Sequence, residues 1–215
     1  MTIIKSHLFV LPNILLNPGG KVTLNIFEPR YQALVDDCIT NKVPMSLGTA
    51  FTDRNDDDLI RIPHEKFLYV TPIVGFGQVR HLHTADNGHK LVLIHGQMKG
   101  KILDIYSEGT QYLSAEIEVI DEQLELSSMN KFLFRRLHAL IEDKVKPMLT
   151  ETRDRKVLLD SLVHPSEVVA FYSENILNSL EAKLHLLRLN DINDKISFLS
   201  ELVLKAPEDN VSHLA

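Results

Sequence analysis

The chain is poor in the features that most readily announce a function. It has a single cysteine, Cys38, so no internal disulfide framework can form, and this fits a reducing compartment. No apolar run approaches the roughly 20 residues needed to cross a bilayer, and Met1 to Pro12 lacks a charged-then-apolar leader with a cleavage pattern. These absences predict a soluble, cytoplasmic protein without a membrane partner. Positive charge is also scarce: the net charge is −6, and the balance is 11 Lys+Arg to 16 Asp+Glu over residues 1–126 and 12 to 13 over 127–215. Neither part has the positive field that neutralising nucleic-acid phosphates requires, so a nucleic-acid partner is disfavoured.

Catalytic signatures are missing as well. There is no Gly-x4-Gly-Lys-Ser/Thr phosphate loop and no Gly-x-Ser-x-Gly nucleophile elbow. The four aspartates between Thr52 and Asp58 do not follow calcium-loop spacing and lack its glycine, so they read as a solvated loop. Gly75-x-Gly77 lies among strand-forming residues with no helix after it, which points to close strand packing or a bulge rather than a dinucleotide site. Of ten histidines, His81, His83, His89 and His95 fall on two neighbouring runs, but no cysteine or carboxylate spacing completes a metal site. The expectation is no metal, no cofactor and no catalytic residue.

With 44% hydrophobic residues, 24% charged residues and a mean hydropathy of −0.03, 215 residues can bury an ordinary core. The most informative stretch runs from Leu11 to Val35. The apolar runs Leu8–Leu11 and Ile14–Leu16 read as strand, stopped by Asn17-Pro18-Gly19-Gly20, a turn in which proline fixes φ and glycine accepts positive φ. Val22, Leu24 and Ile26 alternate with Lys21, Thr23 and Asn25, the period of a strand with one buried face. Glu28-Pro29-Arg30-Tyr31 then opens a helix, with Pro29 where its missing N–H is no loss, and Tyr31, Leu34, Val35 and Cys38 form its apolar side.

Further on, Met45–Phe51, Phe67–Val70 and two runs flanking Asp86-Asn87-Gly88 read as strands, the last two joined as a hairpin by the Asn-Gly signal. A strand restarts from Lys99 to Tyr106. Another covers Tyr112–Val119, with Tyr112, Ser114, Glu116 and Glu118 on its wet face. From Leu126 the period becomes helical, through Phe132–Val145, Val157–Val163, Val168–Leu177, Leu184–Leu189 and the stripe Ile192, Ile196, Leu199, Val203. Pro147 ends the first of these helices, and Ser179 and Asp191 sit at helix starts.

The turn Pro18-Gly19, followed by Leu24-x-Ile26-Phe27-Glu28-Pro29-Arg30-Tyr31, resembles the start of the substrate-recognition domain at the amino terminus of ATP-dependent Lon proteases. Gly75 to Arg80 and His95 to Ile102 stand where that family has a glycine-led strand and a second glycine strand, with Lys99 and Gly100 replacing its usual arginine and aromatic. The later helices resemble its small bundle, so the likeness covers roughly residues 7–204. It implies an α+β fold: a PUA-like, β-rich pseudobarrel with a short helix over 1–125, an all-helical bundle over 126–206, and a flexible tail over 207–215. It also implies a free-standing recognition module, not an enzyme, that binds unfolded or extended polypeptide or a protein adaptor. An RNA-binding PUA-like module is the alternative, and a cryptic enzyme a weaker one. The candidate contacts are Phe27, Tyr31, Phe76, Met98 and Tyr106, with Pro18, Gly19, Glu28, Pro29 and Arg30 as the structural motif.

Overall fold

A computed structural model describes residues 1–52, 58–65, 68–107 and 109–204. Residues 53–57 of the aspartate loop, Phe67 and the tail therefore lie outside the described residues. The chain divides into two compact units, Met1–Asp121 and Glu122–Ala215.

The first unit is built on strands β1 (Ile3–Leu11), β2 (Lys21–Ile26), β3 (Met45–Thr52), β4 (Ile60–Arg61), β5 (Leu68–Val70), β6 (Ile73–Thr84), β7 (Lys90–Tyr106) and β8 (Leu113–Ile120), with helix α1 (Pro29–Asn41). Pairing runs β1-β8-β7-β6-β3, and β3 returns to β1 in parallel, so five strands close on themselves. This is the β-rich barrel expected from the sequence. Register fixes the closure at both ends: Ile3 faces Glu118, and His7 faces Met45. From Ser6 to Val10 strand β1 is buried on both faces, which explains the unbroken apolar run Leu8–Leu11. Leu8 and Val10 join one core cluster with Phe76, Ile102 and Ile117, while Phe9 joins another with Leu34, Val35 and Cys38 of α1.

Helix α1 forms where the apolar spacing requires it. Its buried residues are Leu34, Val35 and Cys38, and the two aliphatic side chains each contribute roughly 1.5–3 kcal/mol. It stops at Lys42, which takes a left-handed cap (φ 55°) just before Pro44. Burial, with the neighbouring Asp37 carboxylate adding to it, pushes the Cys38 thiol up to about 12, as suits a small core residue rather than a nucleophile.

Three local expectations need correction. Ile14–Leu16 is not a strand but a buried connection that follows Asn13 at φ 57°, and Thr49 Oγ1 donates to the Ile14 carbonyl at 2.5 Å. Residues 90–106 form one 17-residue strand rather than two, because a register shift opposite Phe76 and Gly77 lets the strand bend without breaking. Tyr112 and Ser114 are buried rather than wet. The Tyr112 hydroxyl donates to Asp37, its ring meets His7 edge-on at 5.0 Å, and His7 Nδ1 and Ser114 Oγ are hydrogen-bonded at 3.0 Å.

Gly75 and Gly77 mark close backbone approach. A Cβ on Gly75 would lie 1.6 Å from the Leu16 carbonyl oxygen, and one on Gly77 1.8 Å from that of His95. The β6–β7 hairpin turns through Gly88 at φ 80°, with the Gly88 N–H donating to the Ala85 carbonyl at 2.8 Å.

The second unit contains α2 (Ser128–Val145), α3 (Thr152–Ser161), α4 (Pro165–Asn175), α5 (Leu180–Arg188) and α6 (Ile192–Leu204). Ser127 caps α2 by accepting from Asn130 N–H, and Ser179 caps α5 by accepting from Ala182 N–H. The core joins Leu137 and Ile141 to Val168, Tyr172, Leu186, Ile196 and Leu199. The Tyr172 hydroxyl donates to the Leu137 carbonyl at 2.9 Å, and burial raises its pKa well above the ordinary value. The entry segment is clamped to the start of α6: Ile192 N–H donates to Gln123, and the nearly buried Lys195 ammonium donates to the Glu122 carboxylate. No helix among the described residues is long and apolar enough to cross a membrane.

Candidate functional site

The Phe27–Tyr31 block forms the junction between β2 and α1. Glu28 is the N-cap in extended conformation, and Pro29 opens the helix. Tyr31 and Gln32 N–H groups both donate to the Glu28 carbonyl at 3.0 Å, which closes the first turn. Arg30 Nε donates to Glu28 Oε2 at 2.9 Å, and its guanidinium carbon stands 4.5 Å over the Tyr31 ring. The Tyr31 ring packs on Phe9 with centroids 4.3 Å apart. Burial raises the Tyr31 hydroxyl pKa; the Arg30 charge opposes the rise, and Glu28 and Glu65 add to it.

Arg30 and Tyr31 form one wall of a cleft of about 220 Å³ within the first unit. Its floor is apolar, from Leu8 and Val10 of β1, Ile62, Leu68 and Leu113, and Tyr112 contributes a second aromatic wall. His64 and Glu65 line it as well, both exposed to water, and His64 adopts a left-handed φ of 66°. An apolar floor of this size accepts a large aliphatic or aromatic side chain. The Arg30 fork, only one N–H of which is engaged by Glu28, offers donors to a carboxylate or carbonyl.

The other sequence candidates are spread out. Phe27 is 59% exposed and lies 5.8 Å from the ring of His89, beside the hairpin, where Gln32 Nε2 also donates to the Gly88 carbonyl at 3.0 Å. Met98 is exposed in the middle of β7. Tyr106 ends that strand, half-buried, with the Lys5 ammonium 5.9 Å from its ring centre. Phe27 thus stands beside the turn that precedes β7, Met98 in the middle of that strand and Tyr106 at its end, and none of the three lines the cleft. Phe76 is corrected outright: at 2% exposure it is core, packed with Leu8, Val70 and Ile117, because its alternation turns it inward. Of the five, Tyr31 alone lines the cleft, and Arg30 joins it from the structural motif. Pro18 and Gly19 serve the turn itself, whose Gly19 N–H donates to Gly96 at 2.8 Å.

Sequence reading missed Leu8, Val10, Ile62, His64, Glu65 and Tyr112 as cleft residues. They come from three separate segments, and no local spacing links them. The histidines of the hairpin are engaged locally, His81 Nε2 with Thr84 Oγ1 at 2.8 Å and His89 Nδ1 with Asn87 Nδ2 at 3.2 Å. Among the described residues no three His, Cys, Asp or Glu side chains converge as a metal would require.

Among the solved structures with a similar fold are two Lon N-terminal domains. One is a Lon N-terminal domain protein from Xanthomonas campestris, with a TM-score of 0.62 and 19% identity, covering 96% of this chain and all of that one. The other is the N-terminal domain of a Mycobacterium avium complex Lon protease, with a TM-score of 0.67 and 14% identity, covering 92% and 96%. No curated protein sequence matches the chain significantly. Residues 6–205 match the family described as the ATP-dependent protease La (LON) substrate-binding domain, and the chain belongs to that family.

Proposed function

We propose that this chain recognises extended or unfolded polypeptide, and that the cleft walled by Arg30 and Tyr31 seats one bulky apolar side chain of the bound segment. The domain family is a substrate-recognition module; the protease and ATPase activities of Lon belong to other domains. The observation that carries the reading is that the two motif side chains border a cavity with an apolar floor instead of filling it. Client backbone running past the cleft meets the Arg30 donors, while Phe27 and Met98 add separate apolar contacts for a longer segment. In this reading the chain holds its client and makes or breaks no bond.

Fluorescence anisotropy with a reduced, carboxymethylated protein as the unfolded client tests this. Binding is expected, together with a loss of about fivefold or more for Arg30→Glu, a substitution on the solvated rim. Equal binding of a folded protein of matched charge, or full binding by the Arg30 variant, overturns the assignment.

A further inference from the structure

The second unit carries a different surface. Helix α3 has no buried residue, and around it and the start of α2 lie exposed Met129, Phe132, Val157 and Val163. Between α2 and the end of α3 is an open groove of about 420 Å³ with Phe134, Leu159, Leu162 and Val163 in its walls. Its polar lining is Arg135, His138 and Asp160.

The charge around this groove departs from that of the rest of the chain. From Ser127 to Ile141 there is no Asp or Glu, while Lys131, Arg135 and Arg136 are all exposed. Over residues 128–156 eight Lys or Arg stand against four Asp or Glu, in a chain of net charge −6. None of Lys131, Arg135 and Arg136 has a carboxylate partner among the described residues. Asp160 is the one acid of the lining, and Lys156 precedes it by one turn on the same helix face.

From this complementarity we infer that the α2–α3 groove docks an acidic amphipathic segment of a partner protein, whose apolar side chains enter the groove while its carboxylates meet Lys131 and Arg135. The apolar walls, which nucleic-acid phosphates would leave unused, and the net charge of −6, which repels an extended anionic surface such as a nucleic acid or a bilayer, favour a short acidic segment with apolar side chains. The inference stands apart from the cleft of the first unit and survives if that reading fails.

The probe is a labelled helical peptide of about 16 residues, four turns, with leucines on one stripe and glutamates elsewhere. The full chain is expected to bind it, and binding should weaken as salt rises. The lysine-for-glutamate peptide and the serine-for-leucine peptide should each bind at least about tenfold more weakly. The double variant Lys131→Glu/Arg135→Glu and the exposed-site variant Val163→Asp should each lose about tenfold, with far-UV circular dichroism melts unchanged; Arg30→Glu should lose nothing. Equal binding of the glutamate and lysine peptides overturns the inference. So does retention by the double variant, loss through Arg30→Glu, or binding of a single-stranded oligonucleotide or anionic vesicles in place of the peptide.

Discussion

The two units solve the burial problem in opposite ways. In the β unit, residues far apart in sequence are locked in register, backbones approach until no Cβ fits at Gly75, and alternate residues of one strand feed two different cores. The helical unit is assembled from neighbours in sequence, fixed by caps and one nearly buried ion pair, and it leaves α3 with no buried residue. The first arrangement yields a small preformed cleft. The second leaves apolar surface uncovered, which is where a monomer's interaction sites are commonly found.

Substitutions can break or sharpen that contrast. The largest effect is expected from Gly75→Ala, which drives a methyl into the Leu16 carbonyl and should cost at least about 4 kcal/mol. Hydrogen-exchange mass spectrometry should show faster exchange in β6 and β7 with α6 unaltered; equal acceleration in both would mean the units do not hold their cores separately. In the helical unit, Lys195→Met removes the ammonium paired with the nearly buried Glu122 carboxylate and should cost about 3 kcal/mol in urea unfolding, with Lys195→Met/Glu122→Leu recovering most of it.

Alkaline pH separates the units more gently. Cys38 titrates near 9.0 when unfolded and about 12 when folded, so the unfolded chain releases its proton first. Stability is therefore full below pH 9 and falls by roughly 1.4 kcal/mol per unit as pH rises toward 12. Tyr172 is also raised, from 10.0, so its contribution is lost only above pH 10. Between pH 9 and 10, Cys38→Ala should flatten the urea-midpoint slope and Tyr172→Phe should leave it unchanged. The smallest stability effect is expected at exposed Phe27 and Val163, where serine should change stability by less than about 0.5 kcal/mol. The two should diverge in binding: Phe27→Ser weakens capture of the unfolded client, and Val163→Ser weakens that of the acidic peptide.

What could be read from the sequence follows the same division. The face of α1, its Pro29 start and the stripe of α6 were legible because each depends on spacings of three and four within one segment. The Asn-Gly hairpin was legible because its turn residues carry their own conformational preference. The single span of β7 was not, since Gly96 and Gly100 and a bulge disturb its alternation just where it bends. Tyr112 was misplaced because its burial comes from α1, over seventy residues earlier, where Asp37 accepts its hydroxyl. The cleft shares that difficulty: Arg30 and Tyr31 stood out as a motif, but the floor beneath them is brought together only by the closed sheet.

That closure has a bearing on how the protein is made. Strand β1 leaves the ribosome well ahead of β8, yet Ile3 must pair with Glu118. At about 5–20 residues per second, roughly 6–23 s pass before its partner is synthesised. Through that interval Leu8, Phe9 and Val10 are a naked apolar edge, so the nascent chain is itself a client for whatever shields such segments in the cell, and loop-closure entropy places completion of the barrel late in folding.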